Sequence, residues 1–259
     1  MDSKALGKVK TWFQEYSNSF SSGISEFDQL MQLKIEHSRH VSFNCRTLAE
    51  ELEWAEDEII IAEILGLLHD VGRFSQFAEY GTFIDADSVN HGERGYEVIR
   101  NTNILLPLPL KDRQIVLDGI HYHNCKKYPP YIPSKSLRFV KLVCDADKLD
   151  KFHVIGESIK NNALNGDSIT AHTIQSYGSI NPRALEKIRK KKKISKKHIL
   201  SQADFYLMHL SLVFDIDYTP AFKRISDSKI LEQIIQVLLA DYDIGTISET
   251  VLAYVKEKI

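Results

Sequence analysis

From Glu26 onward, apolar or metal-binding residue types recur at Phe27, Leu30, Met31, Lys34, His37, Val41, Cys45, Leu48 and Leu52. Such steps keep every one of these side chains on a single stripe of a 3.6-residue helix and cannot be laid on one face of a strand. The spacing predicts one long amphipathic helix over 26–53, with His37 on its buried side. A stripe of that length must bury itself against other elements, so the chain is committed to packed helices.

The same reading extends downstream. Acidic residues at Glu56, Asp57 and Glu58 suit the positive end of a helix dipole, and the apolar run that follows predicts a central helix over 56–72, stopped near Gly72. Residues 74–90 read as a loop, 91–100 and 111–124 as helices, and Pro129, Pro130 and Pro133 as an extended linker. Ser134 is a fair N-cap for a helix over 134–150. Composition loosens from Phe152 to Thr170, with Asn161-Asn162 and Gly166-Asp167 as breakers, and helical spacing resumes near Pro182. No strand alternation emerges, so the expected fold class is all-α. The organisation expected is a single domain over 1–259, with a core at about 26–155 and a helical extension at about 156–259 packed on it, one arrangement being a lid. A separately folding second half is the weaker option.

Composition sets outer bounds. The 259 residues are 43% hydrophobic and 26% charged, enough to bury a substantial core. A net charge of −2 steers the chain toward neither nucleic acid nor anionic membrane. Cys45, Cys125 and Cys144 form no CxxC pair and are odd in number, which argues against a disulfide framework; Cys45 and Cys144 read as buried thiols. The stretch from Met1 to Phe20 lacks a signal-peptide core, and Ile59 to Leu68 is too short to span a bilayer and contains Glu63. A cytoplasmic location is the default. The basic run Lys187–Lys197 lacks the interleaved aromatics that stack on bases and reads as a solvated face, so nucleic acid is not the expected partner.

The chemistry lies in a scattered set of His and Asp residues. Adjacent His69 and Asp70 offer a nitrogen and a hard oxygen donor side by side, which suits a catalytic divalent metal better than a closed zinc staple. Around them stand His37-Ser38-Arg39-His40-Val41, Asn90-His91-Gly92, Ile120-His121-Tyr122-His123-Asn124 and Ala146-Asp147-Lys148-Leu149-Asp150. This order resembles the HD-domain superfamily of metal-dependent phosphohydrolases over roughly residues 26–155, and Gly72 to Gly92 is similar to one branch of stand-alone bacterial HD proteins.

The resemblance implies that His37, His69, Asp70 and Asp147 bind a first metal, and that His91 and His123 bind a second with Asp70 shared. One or two divalent ions per chain follow, drawn from Mn, Mg, Fe, Ni, Co or Zn. His37 is preferred to His40, which is assigned a neighbouring hydrogen bond or substrate contact. His123 is preferred to His121, since residues two apart on a helix point nearly opposite ways. The HD-GYP subgroup fits less well: Asn124 replaces its second His, the GYP string is absent, and Leu33 stands where a further carboxylate would be, which weighs against a third metal. Arg73 occupies the position of that subgroup's phosphate-meeting Lys, Lys148 is a second cationic candidate, and Asp150 is better suited to orient a ligand than to be one.

The function implied is hydrolysis of a small phosphorylated substrate, a phosphomonoester or phosphodiester with nucleotides among the candidates. Asp70, Arg73 and Lys148 are then the catalytic set. Two other readings use the same ligands. HD-fold diiron oxygenases act on polyols or phosphonates through a similar six-residue set, and a regulatory protein could retain a metal without catalysis.

Overall fold

In a computed structural model, which describes residues 3–161 and 178–259, the long stripe becomes helix α2 (Ser25–Glu51). Its buried side is made of Met31, Ile35, Ser38, Val41, Ser42, Cys45, Leu48 and Ala49. That side packs on α3 (Glu56–Leu68), in which every residue from Ile59 to Leu68 is buried. Gly66 permits the contact: a Cβ there would lie 2.7 Å from Ser42 Cα and 2.8 Å from Val41 O. The buried Glu63 inside this apolar run is compensated by Lys10 at 2.6 Å and Arg46 at 3.1 Å.

The expected stop at Gly72 is corrected by the structure. Helix α3 ends at Leu68, His69 to Val71 form a turn, and Gly72 opens α4 (Gly72–Tyr80). Much of the expected 74–90 loop is therefore helical. Gly72 serves close packing, because a Cβ on it would collide with His91 O and sit 2.6 Å from Gly95 N on α5. The glycine that does terminate a helix is Gly81, at φ 65° after α4, with its N–H donated to Phe77 O. A short 3₁₀ turn at Asp85–Asp87 then leads to α5 (His91–Arg100), whose N-cap Asn90 accepts from the N–H groups of Gly92 and Glu93.

Helix α6 (Leu110–Tyr122) packs on α3 and α5, and α7 (Ser134–Lys160) runs ten residues past the expected end at Asp150. The N-terminal stretch, given no element by its sequence, forms α1 (Ser3–Asn18) against α3. Its Phe13 and Tyr16, with Phe20 just beyond it, surround the fully buried Phe74 ring.

The chain divides into two compact units, Met1–Asp147 and Lys148–Ile259. The second contains α8 (Pro182–Arg189), α9 (Gln202–Ser211), α10 (Thr219–Ser228), α11 (Ile230–Asp241) and α12 (Ile247–Lys258). Helix α9 packs on α8 and α11, and α12 on α8 and α10. No strand occurs among the described residues, so the fold is all-α. Among those residues, no helix is long and apolar enough to cross a membrane. The breakers expected at Asn162 and Gly166-Asp167 lie outside the described residues. Cys45 is buried, whereas Cys144, expected to be buried, is only partly so and contacts His123 O at 3.1 Å.

Candidate metal centre

Five separate elements deliver six donor side chains to one cluster. His37 comes from α2, His69 and Asp70 from the turn between α3 and α4, and His91 from the first position of α5. His123 follows the last residue of α6, and Asp147 lies on α7.

Asp70 is the centre of the set. Its Oδ2 lies 3.6 Å from His37 Nε2 and 3.9 Å from His69 Nε2, while its Oδ1 lies 3.4 Å from His91 Nε2 and 3.6 Å from His123 Nε2. Two donor groups follow, His37–His69–Asp70 and Asp70–His91–His123, each with its ligand atoms within 4.8 Å of one another. Asp147 Oδ1 is 3.4 Å from His37 Nε2, which sets it beside the first of these.

The imidazoles are held so that the same nitrogen faces inward. His69 Nδ1 is 2.8 Å from Gly66 O, His123 Nδ1 is 2.8 Å from Ile120 O, and His91 Nδ1 is 2.7 Å from Asp85 Oδ2. Carbonyl and carboxylate oxygens only accept, so each Nδ1 carries a proton, which leaves Nε2, the nitrogen facing Asp70, as the atom available to a metal. His91 Nε2 and His123 Nε2 are 3.0 Å apart, and His69 Nε2 is buried with no hydrogen-bond partner. Lone pairs converging on a carboxylate are what a cation satisfies, so the residues fit a divalent metal.

Protonation states agree with that fit. Burial, aided by His123 and His37, pushes the His69 imidazole down to about 3 against the pull of Asp70 and Asp147. Burial likewise pushes His91 down to about 4, although Asp85 and Asp70 oppose it. For Asp70, burial acts to raise the carboxyl, but Lys34, Arg73 and His69 outweigh it and hold the group well below the usual carboxylate range. Neutral imidazoles around an ionised carboxylate are the protonation states a metal requires of its ligands.

Other expected positions fall around this core. His121 turns toward the rings of Tyr96 and Tyr122, and His40 is exposed on α2. Arg73 Nε lies 3.4 Å from Asp70 Oδ1, while its Nη1 reaches Phe83 O at 2.6 Å, Asp85 Oδ1 at 2.8 Å and Gln76 Oε1 at 3.0 Å. Lys148 is buried with Nζ 3.6 Å from Asp215 Oδ2, and Asp150 is buried on α7. In the basic run, Lys190 and Lys193 form ion pairs with Glu186 and Asp215.

Three residues that the sequence did not single out complete the surroundings. Asp85 holds His91 and Arg73 together and accepts from Gln76 Nε2 at 3.1 Å and Asn124 Nδ2 at 3.3 Å. Gln76 also donates to Ser88 Oγ and Val89 O, fixing the loop that carries Asp85. Lys34 places its ammonium 3.2 Å from Asp70 Oδ2. A lysine on the stripe read from the sequence, one turn before His37, was the available signal for Lys34; the loop aspartate had none.

Residues 35–151 match the family model of the HD domain. The matched stretch, 117 of the 259 residues, is similar to HD domains, which bind divalent metals. Comparison with curated proteins and with solved structures returned no match.

Proposed function

We propose that the protein is a metal-dependent phosphohydrolase acting on a phosphomonoester or phosphodiester, with nucleotides among its candidate substrates. In this reading His37, His69, Asp70, His91, His123 and Asp147 hold one or two divalent ions. The observation that carries it is the division of Asp70 between two imidazole pairs, one at each carboxylate oxygen. When bound there, divalent ions supply Lewis acidity and lower the pKa of water enough to make it a nucleophile at neutral pH.

The chain's own residues do the rest. The three anchored imidazoles present lone pairs without rearrangement, and the burial of His69, Asp70 and His91 keeps bulk water from screening the charges. Arg73, beside Asp70 Oδ1, supplies positive charge against the charge that accumulates on phosphoryl oxygens. Lys148 is the second cation of the proposal, paired at present with Asp215.

The test starts with metal analysis and an absorption spectrum, under air, of protein purified without added metal. Metal-dependent release of phosphate from an aryl phosphate or a nucleotide panel is the expected result. An inert panel, together with oxygen consumption by iron-loaded protein supplied with a polyol or phosphonate, would transfer the assignment to the diiron oxygenases.

A further inference from the structure

Two cations flank Asp70, and their surroundings differ. Arg73 Nη1 is committed to three acceptors, Phe83 O, Asp85 Oδ1 and Gln76 Oε1, more than its two hydrogens can serve well. Through Asp85 the same guanidinium is linked to His91, so Arg73 braces the wall that holds a donor imidazole.

Lys34 is held far more loosely. Its contacts are Asp70 Oδ2 at 3.2 Å and the face of the Phe83 ring, 5.4 Å from the centroid. Phe83 stacks on Phe77 at 4.3 Å, giving the lysine a rigid aromatic surface to lie on. The oxygen it contacts is the one facing His37 and His69, where the first donor group converges. A divalent ion taking Asp70 Oδ2 would satisfy that oxygen and leave the ammonium facing another cation. An anion beside the metal gives the ammonium a new partner, and a phosphate brings unshared oxygens to that place.

We infer that Lys34 is the residue that binds the substrate's phosphate: it neutralises Asp70 in the metal-free protein and passes to the phosphate once an ion occupies the first donor group. The inference rests on the phosphohydrolase reading and deepens it, since such a lysine selects anionic substrates over neutral ones.

The experiment compares wild type with Lys34→Met by calorimetric titration, first with Mn²⁺ and then, on Mn²⁺-loaded protein, with inorganic phosphate. Lys34→Met is expected to bind Mn²⁺ more tightly, having lost the competing ammonium, and phosphate roughly ten- to a hundredfold more weakly. Opposite movements of the two affinities distinguish this role from a structural one, which would weaken both. Lys34→Gln, which keeps a hydrogen-bond donor for Asp70, is titrated alongside and should move in the same directions if Lys34→Met does not fold. Phosphate affinity equal to wild type, or loss of metal and phosphate together, would overturn the role of Lys34. Metal-loaded wild type that binds no phosphate would remove the phosphohydrolase reading beneath it, and the inference with it.

Discussion

Each oxygen of Asp70 faces its own pair of imidazoles, so no neighbouring side chain can stand in for it. Asp70→Ala is expected to abolish most metal binding while the protein stays folded, as read by elemental analysis and circular dichroism. A folded variant with wild-type metal content would exclude the site. His121 and His123 separate more finely. Only His123 directs a ring nitrogen at Asp70, so His123→Ala should lose more metal than His121→Ala, and the reverse order would reject the choice. Asp85 acts at one remove. It accepts the His91 Nδ1 proton, and an amide in its place would lose the charge that fixes this imidazole. Asp85→Asn should weaken metal affinity by about 10- to 100-fold, measurable by competition with a chelating dye.

At the scale of the helix, the centre depends on how closely α2 and α3 approach. A methyl on Gly66 would press on Ser42 Cα and Val41 O, backbone atoms of α2 that cannot swing aside. Gly66→Ala should therefore cost about 1–3 kcal/mol and appear as a lower thermal midpoint. Metal affinity should fall with it, because His37 lies on α2 and His69 directly follows α3, the two elements being forced apart. In the second unit, α9 buries His209 with its Nδ1 on Phe205 O at 2.9 Å. Burial pushes this imidazole from 6.5 down to about 4, with Lys151 assisting and the Phe205 carbonyl opposing. Below its ordinary value the unfolded chain takes up the proton while the folded chain refuses it. Stability is thus fullest above pH 6.5 and falls as pH drops toward 4, by on the order of 2–3 kcal/mol. Replacing His209 by Gln keeps a donor and removes the titration, so urea midpoints should fall less between pH 6.5 and 4.5 than in wild type. Parallel curves would show that His209 contributes nothing to the acid limb.

Over the whole molecule the relevant property is cooperativity. The six donor residues all belong to the first unit, and α7 continues without a break from that unit into the second. Asp147 lies on α7, a helix that both units share, so we propose that the two units unfold together. Calorimetry should show one transition whose van't Hoff and calorimetric enthalpies agree. Limited proteolysis that leaves a stable, metal-bound fragment lacking α8 to α12 would instead establish two domains.

What the sequence determined by itself is whatever repeats or depends on residue type alone. The stripe of α2 and the apolar run of α3 made helices legible, because burial enforces a periodicity that can be counted. The donors His37, His69, Asp70, His91, His123 and Asp147 were legible as candidates through the order of His and Asp motifs that resembles the HD superfamily, residue type alone leaving all ten histidines open. Gly72 was misread for a physical reason: a glycine required by the approach of α5 looks, in one dimension, like a glycine that ends a helix. Asp85 and Lys34 are the other side of the matter. A loop aspartate has no period, and a lysine on a buried stripe names no partner; their roles exist only through His91 and Asp70, six and 36 residues away in the chain. Tertiary structure alone decided which oxygen of Asp70 meets which imidazole, because that depends on the distance between helices, which no local spacing encodes.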